Sequence, residues 1–430
     1  MRKCMMEKKV LILSYYWPPA GGGGVQRWLK FTKYLPDLGW KPIVYTPSNG
    51  ETAAYDESLV AQIHPSVETI KTPIWEPYQF YKKFIGKKKE EKVYSGFITE
   101  GKKQSLAQKI SIFIRGNFFI PDARCFWIKP SVKYLKAYLR KNHIDAIVST
   151  GPPHSMHRIA LGLKKEFPHI PWIADFRDPW THIDFYDQLQ LTPIADYMHK
   201  SQEREVLKYA DKVVTVSWSW AADFKRISNR DDIVVITNGY DPADFETPMG
   251  ALDSEFTIMH VGSMNEDRNP MVLWEALKKL KERGFPFKVK LIGQVDFAVM
   301  AYAERLGLKD KVEHIPFIPH KEAILLLRKS KVLLLPINDT PNQAGVLPGK
   351  LYEYIGANRR ILCIGKDTGD AGRILKEIPN AEMCGYEEVD KCISILEKFS
   401  SLDEQSNNHV FEKYSRKSLA GEYAKLLNSL

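Results

Sequence analysis

Short apolar runs, four to six residues long, recur along this chain, and most lead through a loop into a stretch with helical periodicity. Lys9–Ser14 (KVLILS) is the first and has the unbroken apolar character of a strand buried on both faces of a parallel sheet. Tyr15–Gly24 (YYWPPAGGGG) reads as a loop, Val25–Leu38 as an amphipathic helix, and Lys41–Thr46 (KPIVYT) as the next strand. A strand, Gly loop, helix and strand in that order open a doubly wound α/β sheet. Four consecutive glycines, ending in Gly23 and Gly24, let the backbone approach a ligand, and the following helix start favours anions. The spacing is not GxGxxG and no acidic residue closes the second strand, so a dinucleotide fingerprint matches poorly and a nicotinamide dehydrogenase is a distant alternative.

The rhythm breaks from Ile74 to about Pro130 and then resumes. Strands are expected at Ala146–Ser149, Trp172–Asp175, Lys212–Val216 and Ile233–Thr237, with a long helix around Pro193–Tyr209. The acidic, Pro- and Gly-containing run after Asn238 reads as a linker. A second series begins at Phe256–Val261, with strands at Lys288–Ile292, Val312–Ile315 and Val332–Pro336, and helices run to the chain end. The division that follows is residues 1–240, with an insertion at about 75–130, then 241–410, then a last helix within 411–430. Both halves are Rossmann-like. Ligands of such sheets bind beyond the carboxyl ends of the strands, so two facing sheets would place a site in the cleft between them.

The net charge of +10 calls for an anionic partner. Tyr81–Lys109 is especially rich in lysine and lies among Trp75, Tyr78, Phe80, Phe84, Phe113, Phe118, Phe119, Phe126 and Trp127. Basic and aromatic residues together suit an anionic membrane surface; the plainer account is an insertion packed on its own domain. Nothing there resembles a nucleic-acid-binding motif, and no nucleic-acid partner is expected. The chain has no apolar run of about 18 residues, so no membrane span is expected. Its start reads as a strand and not a signal peptide. Five cysteines without CxxC fit a reducing cytoplasm, with peripheral attachment to the inner face of the membrane as an option.

Pro341–Ile364 (PNQAGVLPGKLYEYIGANRRILCI) concentrates the candidate chemistry. It reads as a Gly-containing loop, a helix with Pro348 at its first position, a turn at Gly356–Arg360 and a buried strand. Lys350 and Glu353 share a helix face. Free amides at the helix start and the Lys350 ammonium suit a diphosphate, and Glu353 one turn deeper suits ribose hydroxyls. A surface helix carrying a chance Lys–Glu pair is the competing account.

With these pieces in order, the chain resembles the family-4 retaining glycosyltransferases of the GT-B fold over nearly its whole length. The resemblance rests on PPAGGGGVQRW, ITNGYDPADF, HVGSMNEDRNP and PGKLYEYIGANRRIL. It implies a C-terminal domain for a nucleotide-sugar donor, with UDP the commonest nucleotide, and an N-terminal domain for a glycan or lipid-linked acceptor. It also implies a last helix that crosses back to the first domain, and a role in surface polysaccharide or lipopolysaccharide synthesis. Glu353 falls on the family's ribose-binding Glu. Gly345 stands where the family often has a second Glu, so backbone amides around Gly345 and Val346 would replace that contact. Ser263 takes the place of a family Arg, and Arg268 that of a diphosphate-binding Lys. Gly293 ends the neighbouring strand on the donor side. Arg177 and Asp178 replace the His-Asp found in many members after the strand ending at Asp175; a subset of surface-polysaccharide enzymes looks similar in DFRDPW and GPPHS.

The chain contains no Asp-x-Asp, so helix N-termini, Arg268 and Lys350 are expected to neutralise the departing diphosphate without metal or other cofactor. Asp175, Asp178, His154, Ser155 and His157 are expected on strand-end loops at the acceptor side. Asp178 is the first candidate to shape that site, against the plain role of a helix cap before Pro179. Arg177 could pair with Asp178 or bind an acceptor phosphate. The alternatives are a sugar-nucleotide epimerase of the same fold and a non-catalytic scaffold.

Overall fold

A computed structural model describes residues 7–52, 54–76, 106–183, 185–248, 250–316, 318–340, 343–402 and 411–430. The Lys82–Lys103 part of the basic stretch lies outside them. The chain forms two compact units, Met1–Thr237 with Leu419–Leu430, and Asn238–Ser418.

The first unit is a seven-stranded parallel sheet in the order β3-β2-β1-β4-β5-β6-β7. Its strands are β1 Lys8–Leu13, β2 Trp40–Pro47, β3 Glu68–Thr72, β4 Ala146–Gly151, β5 Trp172–Phe176, β6 Lys212–Thr215 and β7 Ile233–Val235. Val10, Leu11, Ile12 and Leu13 are fully buried, as a strand covered on both faces requires. The described helices are α1 Gly23–Tyr34, α2 Leu106–Phe118, α3 Cys125–Leu139, α4 Ser155–Glu166, α5 Pro193–Tyr209 and α6 Trp218–Ser228. Leu419, Tyr423 and Leu427 of the last helix, α13 Arg416–Asn428, are buried in this unit, with the Tyr423 ring 5.1 Å from Trp28.

The second unit is a six-stranded parallel sheet in the order β10-β9-β8-β11-β12-β13. Its strands are β8 Thr257–Val261, β9 Lys288–Ile292, β10 Val312–Ile315, β11 Val332–Pro336, β12 Arg360–Ile364 and β13 Ala381–Cys384. Its helices are α7 Met271–Glu282, α8 Phe297–Arg305, α9 His320–Lys329, α10 Gly349–Ala357, α11 Asp370–Leu375 and α12 Val389–Ser401.

Sequence patterning does not mark β3 or β13. Both are edge strands with partly exposed residues, so neither carries the continuous apolar run of a central strand. Patterning also ends the irregular insertion at about Pro130, whereas α3 starts at Cys125 and runs through that proline. Pro130 forgoes one intrahelical bond there. Burial of Trp127, stacked 4.9 Å from Tyr45 at 12°, anchors the helix. This part of the insertion packs on its own unit.

Candidate functional site

The strand ends of the first unit are closed by internal partners. The Asp175 carboxylate at the end of β5 is fully buried. It accepts from Arg27 Nε at 3.2 Å and Nη2 at 3.0 Å, from Trp28 Nε1 at 2.8 Å and from Thr150 Oγ1 at 3.1 Å. Arg27 donates further to the carbonyls of Thr237 (2.8 Å) and Ile236 (2.9 Å). This corrects the expectation that Asp175 faces the acceptor side: its carboxylate ties α1 to the sheet.

Arg177 donates to the carbonyls of Gly24 (2.7 Å) and Pro152, which pins the glycine loop to the loop after β4. Burial lowers its pKa from the usual arginine range. Its fork is thus committed to backbone carbonyls and not spread toward an acceptor phosphate. Asp178 is half-exposed beside it. A side chain on Gly24 would meet the Tyr16 ring at 3.0 Å, whereas Gly23 faces open space.

The histidines depart from expectation in the same way. His154 stacks on Trp180, 4.9 Å between centroids and 3° between planes, and burial lowers its pKa to about 4. His157 is fully buried, with Nδ1 2.8 Å from Ser149 Oγ and its ring 4.2 Å from that of Phe176. Ser155 is equally buried. Its hydroxyl and amide both donate to Asp122, at 2.8 and 2.9 Å, which satisfies the first turn of α4. Sequence patterning treats these residues as an open acceptor side; stacking and capping enclose all three. Asp122 is the partner that patterning misses, since it lies 33 residues away with no spacing signal.

The second unit differs. β8 and β9 end in Gly262 (φ 122°) and Gly293 (φ 114°), both in conformations that favour glycine. A Cβ on Gly293 would stand 2.8 Å from the Gly262 carbonyl oxygen, and one on Gly262 would collide with Lys350 Cε and Nζ. Two glycines therefore open the place where the Lys350 side chain lies. Pro348 is the residue before α10 and not its first helical position; Lys350 is the second residue of the helix, and Asn358 ends it in the left-handed region.

Arg268 approaches the same place from the loop after β8. Its Nε donates to Asn338 Oδ1 at 2.8 Å and its Nη1 to the Ser263 carbonyl at 3.3 Å. Burial, with the Arg268 charge adding to it, lowers the Lys350 pKa to about 8. Burial also lowers the Arg268 pKa and, together with the Lys350 charge, holds His260 at about 3. Glu353 is half-buried one turn on; burial raises its pKa while His320, Lys350 and Arg416 pull it down. Lys350 thus carries its charge against desolvation and against a neighbouring guanidinium, which suits the place to an anion. Gly345 is buried and Val346 half-buried on the loop before α10. The Val346 amide donates to Gln343 at 3.0 Å, so it is already used, contrary to the expectation that it points at a ligand. Asn338, which orients Arg268, carries no motif by which sequence alone could find it. Among the described residues no three His, Cys, Asp or Glu side chains converge as metal ligands.

Residues 21–244, more than half of the chain, match the family model described as Glycosyltransferase Family 4. The chain belongs to that family. In this family-4 chain, residues 246–417 also match the model described as Glycosyl transferases group 1. A 137-residue stretch is 28% identical to WcaL of Escherichia coli (strain K12), described as a putative colanic acid biosynthesis glycosyltransferase. It covers 31% of the chain and 34% of the relative, so the chain spans about a third of that curated relative's length. Among solved structures, a glycosyltransferase from Rickettsia africae ESF-5 matches with a TM-score of 0.58 at 16% identity, over 98% of each chain. The lipopolysaccharide outer core galactosyltransferase WaaB, in its apo form, matches with a TM-score of 0.58 at 12% identity, over 98% of this chain and 100% of that one. At these identities the likeness is one of fold, the two-sheet GT-B fold.

Proposed function

We propose that this protein transfers a sugar from a nucleoside diphosphate donor, with UDP the first choice, to a glycan or lipid-linked acceptor in surface polysaccharide or lipopolysaccharide synthesis. The observation that carries the reading is Lys350 lying across Gly262 beside Arg268, its pKa lowered to about 8 by burial and by that neighbour. An ammonium at the start of α10 and a guanidinium on the loop after β8, both shielded from water, lose stability by their proximity and regain it when a diphosphate sits between them.

In glycosyl transfer the bond from the anomeric carbon to the diphosphate oxygen breaks while the acceptor oxygen forms its bond to that carbon and gives up its proton, here to the departing diphosphate oxygen. Negative charge builds on the departing diphosphate, and positive charge near it is worth most at that moment. Lys350, Arg268 and the first amides of α10 would supply it without a metal. Glu353, one turn deeper on the same helix, would accept hydrogen bonds from the ribose. Retention of configuration is the further expectation of this reading, with the sugar attacked on the face the diphosphate leaves. On the acceptor side Asp178 is the candidate, being half-exposed where Asp175 is enclosed.

The names of WcaL and WaaB support the polysaccharide and lipopolysaccharide context. The test is a thermal-shift panel of nucleoside diphosphates and their sugars, followed by product analysis with and without acceptor. A shift with UDP, and sugar transferred only when acceptor is present, is expected. A donor interconverted without acceptor would point to an epimerase, and no shift with any nucleotide to a scaffold.

A further inference from the structure

Helices α3 and α4 pack side by side, and Gly162 lets them close: a Cβ there would stand 2.8 Å from Val132 Cγ2. Over that contact a groove of about 450 Å³ opens, within the size of small-ligand clefts. Its floor is apolar, built by Ile128 and Val132, both half-buried, and by buried Leu161. Its walls are basic. Lys129, Lys133 and Lys136 stand four and seven residues along one stripe of α3, and Arg158 and Lys165 stand seven apart on α4.

Internal carboxylates neutralise only part of this charge. Glu166 accepts from Lys136 at 2.9 Å and is shared with Arg140 outside the groove. Glu205 of α5 accepts from Lys165 at 2.6 Å and from Arg158. No carboxylate among the described residues pairs with Lys129 or Lys133. Five cations against two carboxylates leave the groove at 5 − 2 = +3.

Hydrogen-bond chemistry narrows the occupant. Lysine and arginine only donate, and the floor has no polar side chain, so every polar side chain lining the groove is a donor. A peptide laid there would bury backbone N–H groups with no acceptor among those side chains. No aromatic ring lines the groove, so a nucleobase has nothing to stack on. A bare polyphosphate would satisfy the donors and leave the apolar floor uncovered. A sugar ring that carries a carboxylate answers both demands. Its carboxylate and ring oxygens accept, its hydroxyls turn to water, and its C–H face covers the floor. We propose that this groove binds an acidic glycan, a uronate-containing segment lying between the two basic stripes. Lys129 and Lys133 hold its carboxylates, and Ile128, Val132 and Leu161 lie under its ring faces. The groove is made by helices and not by strand ends, and the proposal does not depend on the donor reading above.

The test is isothermal titration calorimetry of the full chain in low-salt buffer against pentagalacturonate, with maltopentaose, tripolyphosphate and a poly-glutamate peptide as comparisons. Binding tighter than about 1 mM is expected for pentagalacturonate, weakened by added salt, and none for maltopentaose. The pair Lys129→Gln, Lys133→Gln is expected to lose about tenfold with an unchanged melting temperature, since both side chains are exposed. Val132→Thr, which keeps the volume and makes the floor polar, is expected to lose about threefold for pentagalacturonate and to leave the weaker tripolyphosphate binding unchanged. The pair Lys278→Gln, Lys376→Gln, exposed on the second unit, removes the same charge elsewhere and is expected to keep binding within about twofold of wild type. The proposal is overturned if wild type does not bind pentagalacturonate, or if tripolyphosphate or the poly-glutamate peptide binds as tightly. It is equally overturned if the groove pair binds like wild type, or if the second-unit pair loses as much as the groove pair.

Discussion

The two units end their central strands in opposite ways. In the first, the charged and polar side chains at those ends are spent on the unit itself: Asp175 on Arg27, Trp28 and Thr150, Arg177 on two carbonyls, Ser155 on Asp122. In the second, Lys350 lies against Gly262, and burial and the Arg268 charge lower its pKa. A saturated cluster holds a scaffold in shape, and an under-neutralised one is prepared for a ligand. The proposed donor site in the second unit rests on this contrast, and Asp178 stays half-exposed in the first.

The contrast can be broken at several points. The largest effect is expected from Asp175→Asn, which removes the carboxylate charge that faces Arg27 in the core. Loss of one partner of a buried pair costs about 3–5 kcal/mol. Chemical denaturation should show that loss, while UDP affinity of the folded protein stays within a factor of about two. A full-strength transferase of wild-type stability would mean that the cluster is not structural. Next, Lys350→Ala should lower the rate of transfer by about a hundredfold and abolish the UDP-induced thermal shift, since a charge meant for the leaving group is gone.

A pH titration sharpens the same point. Free Lys350 loses its proton near pH 8, below the ordinary value of 10.5, and a bound diphosphate raises that pKa again. UDP binding should therefore be strongest below pH 8 and weaken as the pH rises through it, with proton uptake on binding in calorimetry above pH 8. Stability of the free protein moves the other way. Between about pH 8 and 10.5 the unfolded chain holds a proton that the folded one has released, so the Lys350 contribution rises with pH. An unchanged UDP affinity from pH 7 to 9 would count against the charge argument. The smallest effect is expected from Ser155→Ala, about 1 kcal/mol in denaturant unfolding through the lost bond to Asp122, with no change in UDP binding.

Much of this was legible in the sequence where local pattern is strong. The strands at Lys288–Ile292, Val312–Ile315 and Val332–Pro336 and the helix Pro193–Tyr209 fall where periodicity puts them. That Lys350 and Glu353 share a helix face follows from their spacing, and Gly293 from the end of its strand. Long-range partnership has no such pattern. Nothing about Asp175 tells that Arg27, 148 residues earlier, will consume it, or that Trp180 will cover His154. Edge strands β3 and β13 escaped because half-exposed strands carry weak apolar signals.

The most direct measurement is the melting temperature of Lys350→Met with and without UDP. Methionine fills a similar volume without charge, so the variant is expected to melt a few degrees above wild type when free and to show no shift with UDP. A variant less stable than wild type that still shifts with UDP would contradict the account.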